Sequence, residues 1–134
     1  MFVIDASVVV KWFIEEDDSP LALQLKQDHI KGVTTLLAPT LLLYEVANVL
    51  LFSRLFSSVE IKKSIHDHYN LEIDFINPSP DLTSPAIELA FSRKITLYDA
   101  SYLAIARAFD IKLVTADRKL YSSAKDLNCI KLLS

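Results

Sequence analysis

The chain has 134 residues, of which 51% are hydrophobic, and a net charge of −3. This length fits one domain over residues 1–134, and the composition excludes a disordered or low-complexity chain. An acidic chain also lacks the basic footprint of most nucleic-acid binders, which counts against that class. The single cysteine, Cys129, excludes an internal disulfide and an ordinary thiolate zinc site, and we expect it to be buried.

The apolar segments do not have the pattern of targeting or membrane segments. Asp5 interrupts the first apolar run, and no basic segment precedes it, so no secretory signal is predicted. The longest apolar region, residues 36–52, contains Pro39, Glu45 and Asn48, which is typical of a buried helix rather than a membrane span. We therefore expect a cytoplasmic protein without a membrane segment.

Short apolar runs alternate with segments of helical pattern along the whole chain. In chain order we predict strand 2–4, helix 6–13, helix 19–31 with Ser19 as its N-cap and Gly32 after its end, strand 34–38, helix 39–54, helix 59–69, strand 72–76, helix 86–93, helix 97–109, strand 111–115, helix 116–127 and strand 129–133. This alternation predicts an α/β fold with a parallel, doubly wound sheet and right-handed crossovers.

Two aspartates stand at or just after the ends of predicted strands. Asp5 comes after Phe2-Val3-Ile4, and Asp117 comes after the strand that ends at Thr115. If both strands are parallel and central, both side chains lie at the carboxyl edge of the sheet, where open α/β folds bind ligands. Helix capping is the alternative explanation for each aspartate alone.

Glu45 is unusual because the helix around it is apolar on almost every side. A helix of this kind is typically buried, and a buried carboxylate needs a cation or strong hydrogen-bond donors. Asn48, three residues later, lies on the same face and could assist it. Alternatively, Glu45 and Asn48 form a narrow solvent-facing stripe.

Asp99 stands in the first turn of the predicted helix 97–109, where the helix dipole alone would favour a negative charge. Together with Asp5, Glu45 and Asp117 it would form a cluster of mutually repelling carboxylates. A hard divalent cation with oxygen ligands, Mg²⁺ or Mn²⁺, removes this conflict. Such an ion lowers the pKa of a bound water and stabilises charge on a phosphoryl oxygen.

The segment His66-Asp67-His68 suggests a metal site at first sight. On a helix, however, residues i and i+2 point in different directions, so the two imidazoles do not readily share one ion. We expect this segment on an exposed helix face instead.

The acidic positions resemble those of the PIN-domain family, and more narrowly its VapC-type toxin ribonucleases. Each acid stands within a short family-like motif, and the four motifs occur in the family's order and spacing. They are Val3-Ile4-Asp5-Ala6-Ser7, the segment 39–48 around Glu45, the segment 96–104 around Asp99, and Leu113-Val114-Thr115-Ala116-Asp117.

This resemblance implies a three-layer α/β/α fold and Mg²⁺- or Mn²⁺-dependent endonucleolytic cleavage of structured RNA. It also implies a homodimer and, in the toxin branch, a cognate antitoxin protein that blocks the site.

On this hypothesis the four acids form the catalytic metal site. Asp5 and Asp99 would bind the ion, Glu45 would bind it directly or through a water, and Asp117 would complete the site or hold a second ion. Supporting side chains would be Ser7, Thr115 and Asn48. The candidate RNA-binding cations are Lys11, Arg93, Arg118 and Lys119, and Trp12 and Tyr98 could stack on bases.

Two other classes remain open on the sequence. A phosphohydrolase with an aspartate nucleophile, of the haloacid-dehalogenase kind, usually has a second aspartate two residues later, where this chain has Ser7. A non-catalytic interaction or RNA-binding module would use the acids only structurally. Nucleotide-binding enzymes with a glycine-rich loop are disfavoured, since Gly32 is the only glycine.

Overall fold

Five short strands form one parallel sheet in the order β3-β2-β1-β4-β5. The strands are β1 (Phe2–Ile4), β2 (Leu36–Pro39), β3 (Asp74–Ile76), β4 (Lys112–Thr115) and β5 (Ile130–Leu132). The computed structural model describes residues 1–134. In the centre of the sheet, Val3 lies opposite Leu37 on one side and Leu113 on the other. Because all pairs are parallel, the five carboxyl ends lie at one edge of the sheet.

Seven α-helices connect and cover the strands. They are α1 (Ala6–Val9), α2 (Ser19–Ile30), α3 (Leu42–Ser53), α4 (Ser58–Tyr69), α5 (Pro80–Arg93), α6 (Leu97–Ala108) and α7 (Arg118–Ala124), with short 3-10 turns at Val10–Trp12 and Lys125–Leu127. Helix α6 packs on β1, β2 and β4, and α5 packs on α6. None of these helices is both long and apolar enough to cross a membrane.

The sheet is covered on both faces. Val3 and Ile4 are both fully buried, although neighbouring side chains of a strand point to opposite faces. Leu36 and Leu37 of β2 show the same pattern. Helices therefore lie on each side, which confirms the predicted three-layer α/β/α arrangement with a parallel sheet.

Several helix starts differ from the sequence prediction. Helix α3 begins at Leu42 rather than at residue 39, and α7 begins at Arg118 rather than at residue 116. Helix α2 has Asp18 rather than Ser19 at its N-cap position. Helix α5 begins at Pro80, six residues before the predicted start, and includes Pro85. Both Ser79-Pro80 and Ser84-Pro85 are typical start signals, and the helix begins at the earlier one even though Pro85 then lacks one backbone hydrogen bond.

The prediction that α3 is buried on all sides is wrong. Only Leu42, Val46 and Leu50, which are spaced by four residues, are buried. Tyr44 is 82% exposed and Phe52 is 72% exposed. The helix packs by one face, and its outer face is apolar without being covered by this chain.

The predicted exposed position of His68 is also wrong. Its side chain is buried and packs against the rings of Trp12 and Phe75. Neither ring nitrogen has a hydrogen-bond partner. His66, two residues earlier, is exposed, so the two imidazoles lie on different sides of α4 as their spacing requires. Cys129 is buried as predicted.

Candidate acidic site at the sheet edge

Asp5 lies at the carboxyl end of β1 and is the N-cap of α1. The residue is buried, with an exposed fraction of only 6%. The hydroxyls of Ser7 and Thr115 donate to its two carboxyl oxygens, each at 2.5 Å, and the Val8 N–H donates at 3.4 Å. Burial raises the pKa of Asp5 to about 6, although these hydrogen bonds oppose the rise.

The two hydroxyls also join the ends of β1 and β4. Ser7 Oγ accepts the Ala116 N–H at 2.8 Å, and Thr115 Oγ1 accepts the Asp117 N–H at 3.0 Å. Each hydroxyl therefore donates to Asp5 and accepts from the segment after β4. This network fixes the orientation of the Asp5 carboxyl at the sheet edge.

Glu45 lies in the first turn of α3 and is half-buried rather than enclosed. The Tyr102 hydroxyl donates to its Oε1 at 2.5 Å. Burial raises the pKa of Glu45, the bond from Tyr102 lowers it, and the charges of Asp99 and Asp5 raise it further. The charges of these acids therefore act on one another across separate elements.

Tyr102 is a site residue that the sequence reasoning did not identify. It is fully buried in α6, three residues after Asp99, so both project from one side of that helix. Burial and the neighbouring Glu45 raise the pKa of its phenol, which therefore stays protonated and acts as a donor. The spacing of three residues was the available signal, but a tyrosine in an apolar helix is ordinarily a core residue.

Asp99 stands in the first turn of α6, whose N-cap is Thr96. The Asp99 N–H donates to Thr96 Oγ1 at 3.0 Å, and the Thr96 hydroxyl slightly opposes the rise in the pKa of the Asp99 carboxyl. Burial raises the pKa of Asp99, and the charge of Asp117 raises it further. The charge of Asp99 therefore raises the pKa of Glu45, and the charge of Asp117 raises the pKa of Asp99.

Asp117 has the geometry of a helix cap. It is exposed, and its Oδ1 accepts the N–H groups of Lys119 at 2.9 Å and Leu120 at 3.1 Å. The contacts of Asp117 in this structure are therefore those of the N-cap of α7, the alternative role that the sequence left open for this residue. Its charge still acts on Asp99.

The donor set fits a hard divalent cation by its chemistry. Asp5, Glu45 and Asp99 offer only oxygen, each has a raised pKa, and no lysine or arginine lowers the pKa of any of them. Their negative charge is therefore not neutralised by the protein. The side chains are not drawn together tightly, since no three metal-ligating groups converge on one point.

The candidate RNA-binding cations divide into two groups: those that are paired with carboxylates of this chain, and those that are exposed beside Asp117. Lys11 is buried and forms ion pairs with Glu16 and with Asp18, the latter at 2.7 Å. Its ammonium group is thus already paired with two carboxylates, which corrects the expectation that it is free for RNA.

Arg93 is likewise removed from the site. It lies in the last turn of α5 and pairs with Asp126, which precedes β5 at the opposite edge of the sheet. Arg118 and Lys119, by contrast, are exposed directly after Asp117. Asn48 is exposed on α3 and forms no side-chain hydrogen bond with Glu45, whose Oε1 accepts from Tyr102 instead.

A doubly wound parallel sheet with several acids at its carboxyl edge defines the class of this protein as α/β, a class in which that edge is the usual place of a ligand site. The family model of the PIN domain matches residues 2–126. The chain belongs to the PIN-domain family. No curated protein sequence is detectably similar to it.

Two solved structures share the fold over almost the whole chain. The crystal structure of PAE2754 from Pyrobaculum aerophilum has a TM-score of 0.70 at 23% identity, covering 98% of this chain and 88% of that one. A toxin-antitoxin complex from Klebsiella pneumoniae has a TM-score of 0.70 at 16% identity, covering 98% and 96%. At these identities the likeness is one of fold.

Proposed function

We propose that this protein is an endoribonuclease that depends on Mg²⁺ or Mn²⁺. The observation that carries the proposal is the group Asp5, Glu45 and Asp99 at the sheet edge, whose pKa values are raised by burial and then by neighbouring acids, with no lysine or arginine lowering any of them. Such a group is costly unless a divalent cation joins it. Membership of the PIN-domain family supports the same conclusion.

In this proposal the acids have different tasks. Asp5 and Asp99 hold the ion, and Asp117 completes the site or holds a second ion. When bound, the ion would lower the pKa of a water and stabilise charge on the phosphoryl oxygens of the RNA. The chain's own residues orient the reactants around it.

The Ser7 and Thr115 hydroxyls keep Asp5 in one orientation, because they bond both of its oxygens. The Tyr102 hydroxyl does the same for Oε1 of Glu45 and leaves Oε2 free. Glu45, whose pKa is raised by burial, accepts the proton of the attacking water at that free oxygen.

Arg118 and Lys119 are the cations proposed to hold the RNA backbone. Both are exposed and follow Asp117 directly, so they flank the acids at the same edge of the sheet. A local pair of cations reconciles RNA binding with the net charge of −3.

We further propose that the chain is the toxin of a type II toxin-antitoxin pair and forms a homodimer in the cytoplasm. The sequence motifs resemble VapC-type toxins, and one structural neighbour is a toxin-antitoxin complex. The exposed apolar side chains of α3, Tyr44, Leu51 and Phe52, form a surface that a protein partner can cover.

The substitution Asp5→Asn tests the nuclease proposal. Asparagine caps a helix as well as aspartate does, so α1 should persist while the charge is lost. We expect the variant to lose at least about 100-fold in the rate of RNA cleavage in Mn²⁺, the scale of a lost catalytic group, and EDTA to silence the wild type.

The matched control is Asp110→Asn. Asp110 is exposed, precedes β4 at the opposite edge, and has a φ of 53°, which asparagine tolerates. The Asp110→Asn variant should cleave RNA at the wild-type rate. Wild-type cleavage by Asp5→Asn would disprove the assignment, and metal-independent RNA binding without any cleavage would favour the non-catalytic module.

A further inference from the structure

Lys11 joins two acids of the segment that leads from the first 3-10 turn to α2. The lysine is buried, and its ammonium group forms ion pairs with Glu16 and, at 2.7 Å, with Asp18. One positive charge thus contacts two negative charges, so the three side chains together keep one negative charge. Because both ion pairs are also hydrogen bonds of a charged donor to a charged acceptor, they fix the two carboxylates in place.

The segment itself has one defined shape. The Glu16 N–H donates to Ser19 Oγ at 2.8 Å, and the Ser19 N–H donates to the Glu16 carbonyl at 3.0 Å. Ser19 is buried, and its hydroxyl donates to the Ile14 carbonyl at 3.3 Å. Asp18 stands at the N-cap position of α2, but its side chain accepts no capping hydrogen bond. Its carboxylate therefore does not have the usual role of an aspartate at a helix start.

The topology places Asp18 at the same edge of the sheet as the candidate site. Helix α2 leads from the carboxyl end of β1 back to the amino end of β2, so it begins at the carboxyl edge. Leu21 of α2 lines one small cavity with Val114 of β4 and Leu132 of β5, so the start of α2 lies beside these two strands. Helix α7 begins at that edge too, after β4, with Arg118 as its first residue.

Arg118 is close enough for its charge to act on Asp18. The hydrogen bond from Lys11 lowers the pKa of the Asp18 carboxyl, burial opposes this change, and the charges of Lys11 and then of Arg118 lower the pKa further. The four ion pairs of the chain do not include Arg118. Its guanidinium group therefore lies near a fixed carboxylate without being bound to it directly, and it remains available to another anion.

An RNA phosphate that binds Arg118 must do so against this negative charge. Carboxylate and phosphate oxygens accept from the same guanidinium N–H donors, so the two anions compete for one group. Charges at a protein surface also act on one another over several ångströms, up to about 8 Å at physiological salt. The Asp18 carboxylate therefore weakens the attraction of Arg118 for a phosphate and repels the phosphate itself.

We propose that Asp18, held in place by Lys11, restrains RNA binding by offsetting the charge of Arg118. The interaction is autoinhibitory, because the chain supplies an anion where the substrate supplies another. Lys11, which the sequence suggested as an RNA-binding cation, acts through the acid that it holds. This inference rests on the proposed role of Arg118 in RNA binding, which it deepens by naming a residue that regulates it.

The first experiment tests the interaction without RNA or metal. The carboxyl ¹³C resonance of Asp18 is followed by NMR during an acid titration of the wild type and of Arg118→Gln. We expect the pKa of Asp18 to be higher in Arg118→Gln, because a cation that lowers it is removed. Lys119→Gln removes the same charge from the next residue and should change this pKa much less. An unchanged pKa in Arg118→Gln would overturn the inference.

The second experiment measures RNA affinity in EDTA, using a fluorescent single-stranded RNA of mixed sequence and about 12 nucleotides. We expect Asp18→Asn to bind it about 3- to 10-fold more tightly than the wild type at low salt, the effect of one nearby charge. This gain should shrink as the salt concentration is raised. Asparagine suits an N-cap position, and Lys11 keeps its pair with Glu16, so the fold should persist.

Two comparisons show whether the gain depends on Arg118. Asp110→Asn removes the same charge at the opposite edge of the sheet and should bind RNA like the wild type. In Arg118→Gln, the further change Asp18→Asn should no longer tighten binding, because the group through which it acts is absent. An equal gain with and without Arg118 would reveal a general effect of charge and would overturn the inference. Weaker binding by Asp18→Asn alone would overturn it as well.

The outcomes separate this inference from the nuclease proposal. If RNA is bound and is cut in an Asp5-dependent manner, but Asp18→Asn has the wild-type affinity, only the inference fails. If the pKa of Asp18 responds to Arg118→Gln but the wild type and all variants neither bind nor cut RNA, the nuclease proposal fails and the inference fails with it.

Discussion

At the level of single residues, the hydroxyl of Thr115 holds the Asp5 carboxyl in place and lowers its pKa. It donates to Oδ2 of Asp5 and accepts the Asp117 N–H, while its own side chain is fully buried. A buried carboxylate oxygen that loses such a donor has no alternative partner. The electrostatics of the site therefore depend on a residue that carries no charge.

Thr115→Val should weaken both the fold and the site. We expect the free energy of unfolding at neutral pH to fall by about 1–3 kcal/mol, the cost of a buried group left unsatisfied. The bond from Thr115 lowers the pKa of Asp5, so its removal should raise that pKa above about 6 and move the acid limb of the cleavage profile to higher pH.

Thr34→Val provides the control for this prediction, measured by urea unfolding and by pH–rate profiles. Thr34 Oγ1 is buried and has no hydrogen-bond partner, so the same change removes no bond there. We expect no loss of stability. If both variants behave alike, the hydroxyl network does not hold Asp5.

The sequence identified the acids but not the groups that hold Glu45. Asp5 and Asp99 stand out because each occupies a fixed place relative to a strand end or a helix start. Tyr102 meets Glu45 only because the fold brings these two side chains together across 57 residues of chain. Such a contact depends on how the helices are placed, which periodicity within one helix does not reveal.

At the level of elements, local signals decide where the helices begin. Ser57 and Glu60 form a reciprocal capping box at the start of α4, with bonds of 2.9 and 3.1 Å. The start of this helix was predictable because its donors and acceptors are only three residues apart. The burial of α3 was not predictable, because an apolar helix does not reveal whether its outer face is covered by the same chain or by another molecule.

Ser57→Ala should destabilise α4 measurably. The Glu60 N–H loses its acceptor, and such substitutions cost about 1 kcal/mol of stability. Ser58→Ala is the comparison, because Ser58 is the first residue of the helix and does not cap it. Urea denaturation followed by circular dichroism should separate the two variants, and equal stabilities would mean that the capping box does not contribute.

At the level of the whole molecule, the parallel sheet brings distant segments to one edge. The alternation of strands and helices predicted the α/β class because each crossover follows from local patterns. The order β3-β2-β1-β4-β5 was not predicted, since it depends on which buried strands pair. Once this order is formed, β1 and β4 are neighbours and Asp5 meets Thr115.

The stability of the whole fold should depend on pH through His68. Burial, and then the nearby charge of Lys26, lowers the pKa of His68 from 6.5 to about 4. The unfolded chain therefore binds the proton first, and stability present above pH 6.5 is lost as the pH falls toward 4.

His68→Phe should remove this loss. At pH 5 the wild type should have lost about 2 kcal/mol through this residue relative to neutral pH, and the variant should not show that part of the loss. His66→Phe, at an exposed position of the same helix, is the control. Urea unfolding at pH 7.5 and pH 5 measures the difference, and equal pH dependence of wild type and His68→Phe would contradict it.

The most direct measurement is a calorimetric titration of Mn²⁺ into the wild type, Asp5→Asn and Asp110→Asn. At pH 7.5 the wild type and Asp110→Asn should bind the ion with the same affinity, and Asp5→Asn should bind it at least about tenfold more weakly, the loss of one ligand charge. Wild-type binding should weaken below pH 6, because the proton then competes for Asp5. Equal Mn²⁺ affinity in all three proteins, or none in the wild type, would contradict a metal site built on these acids.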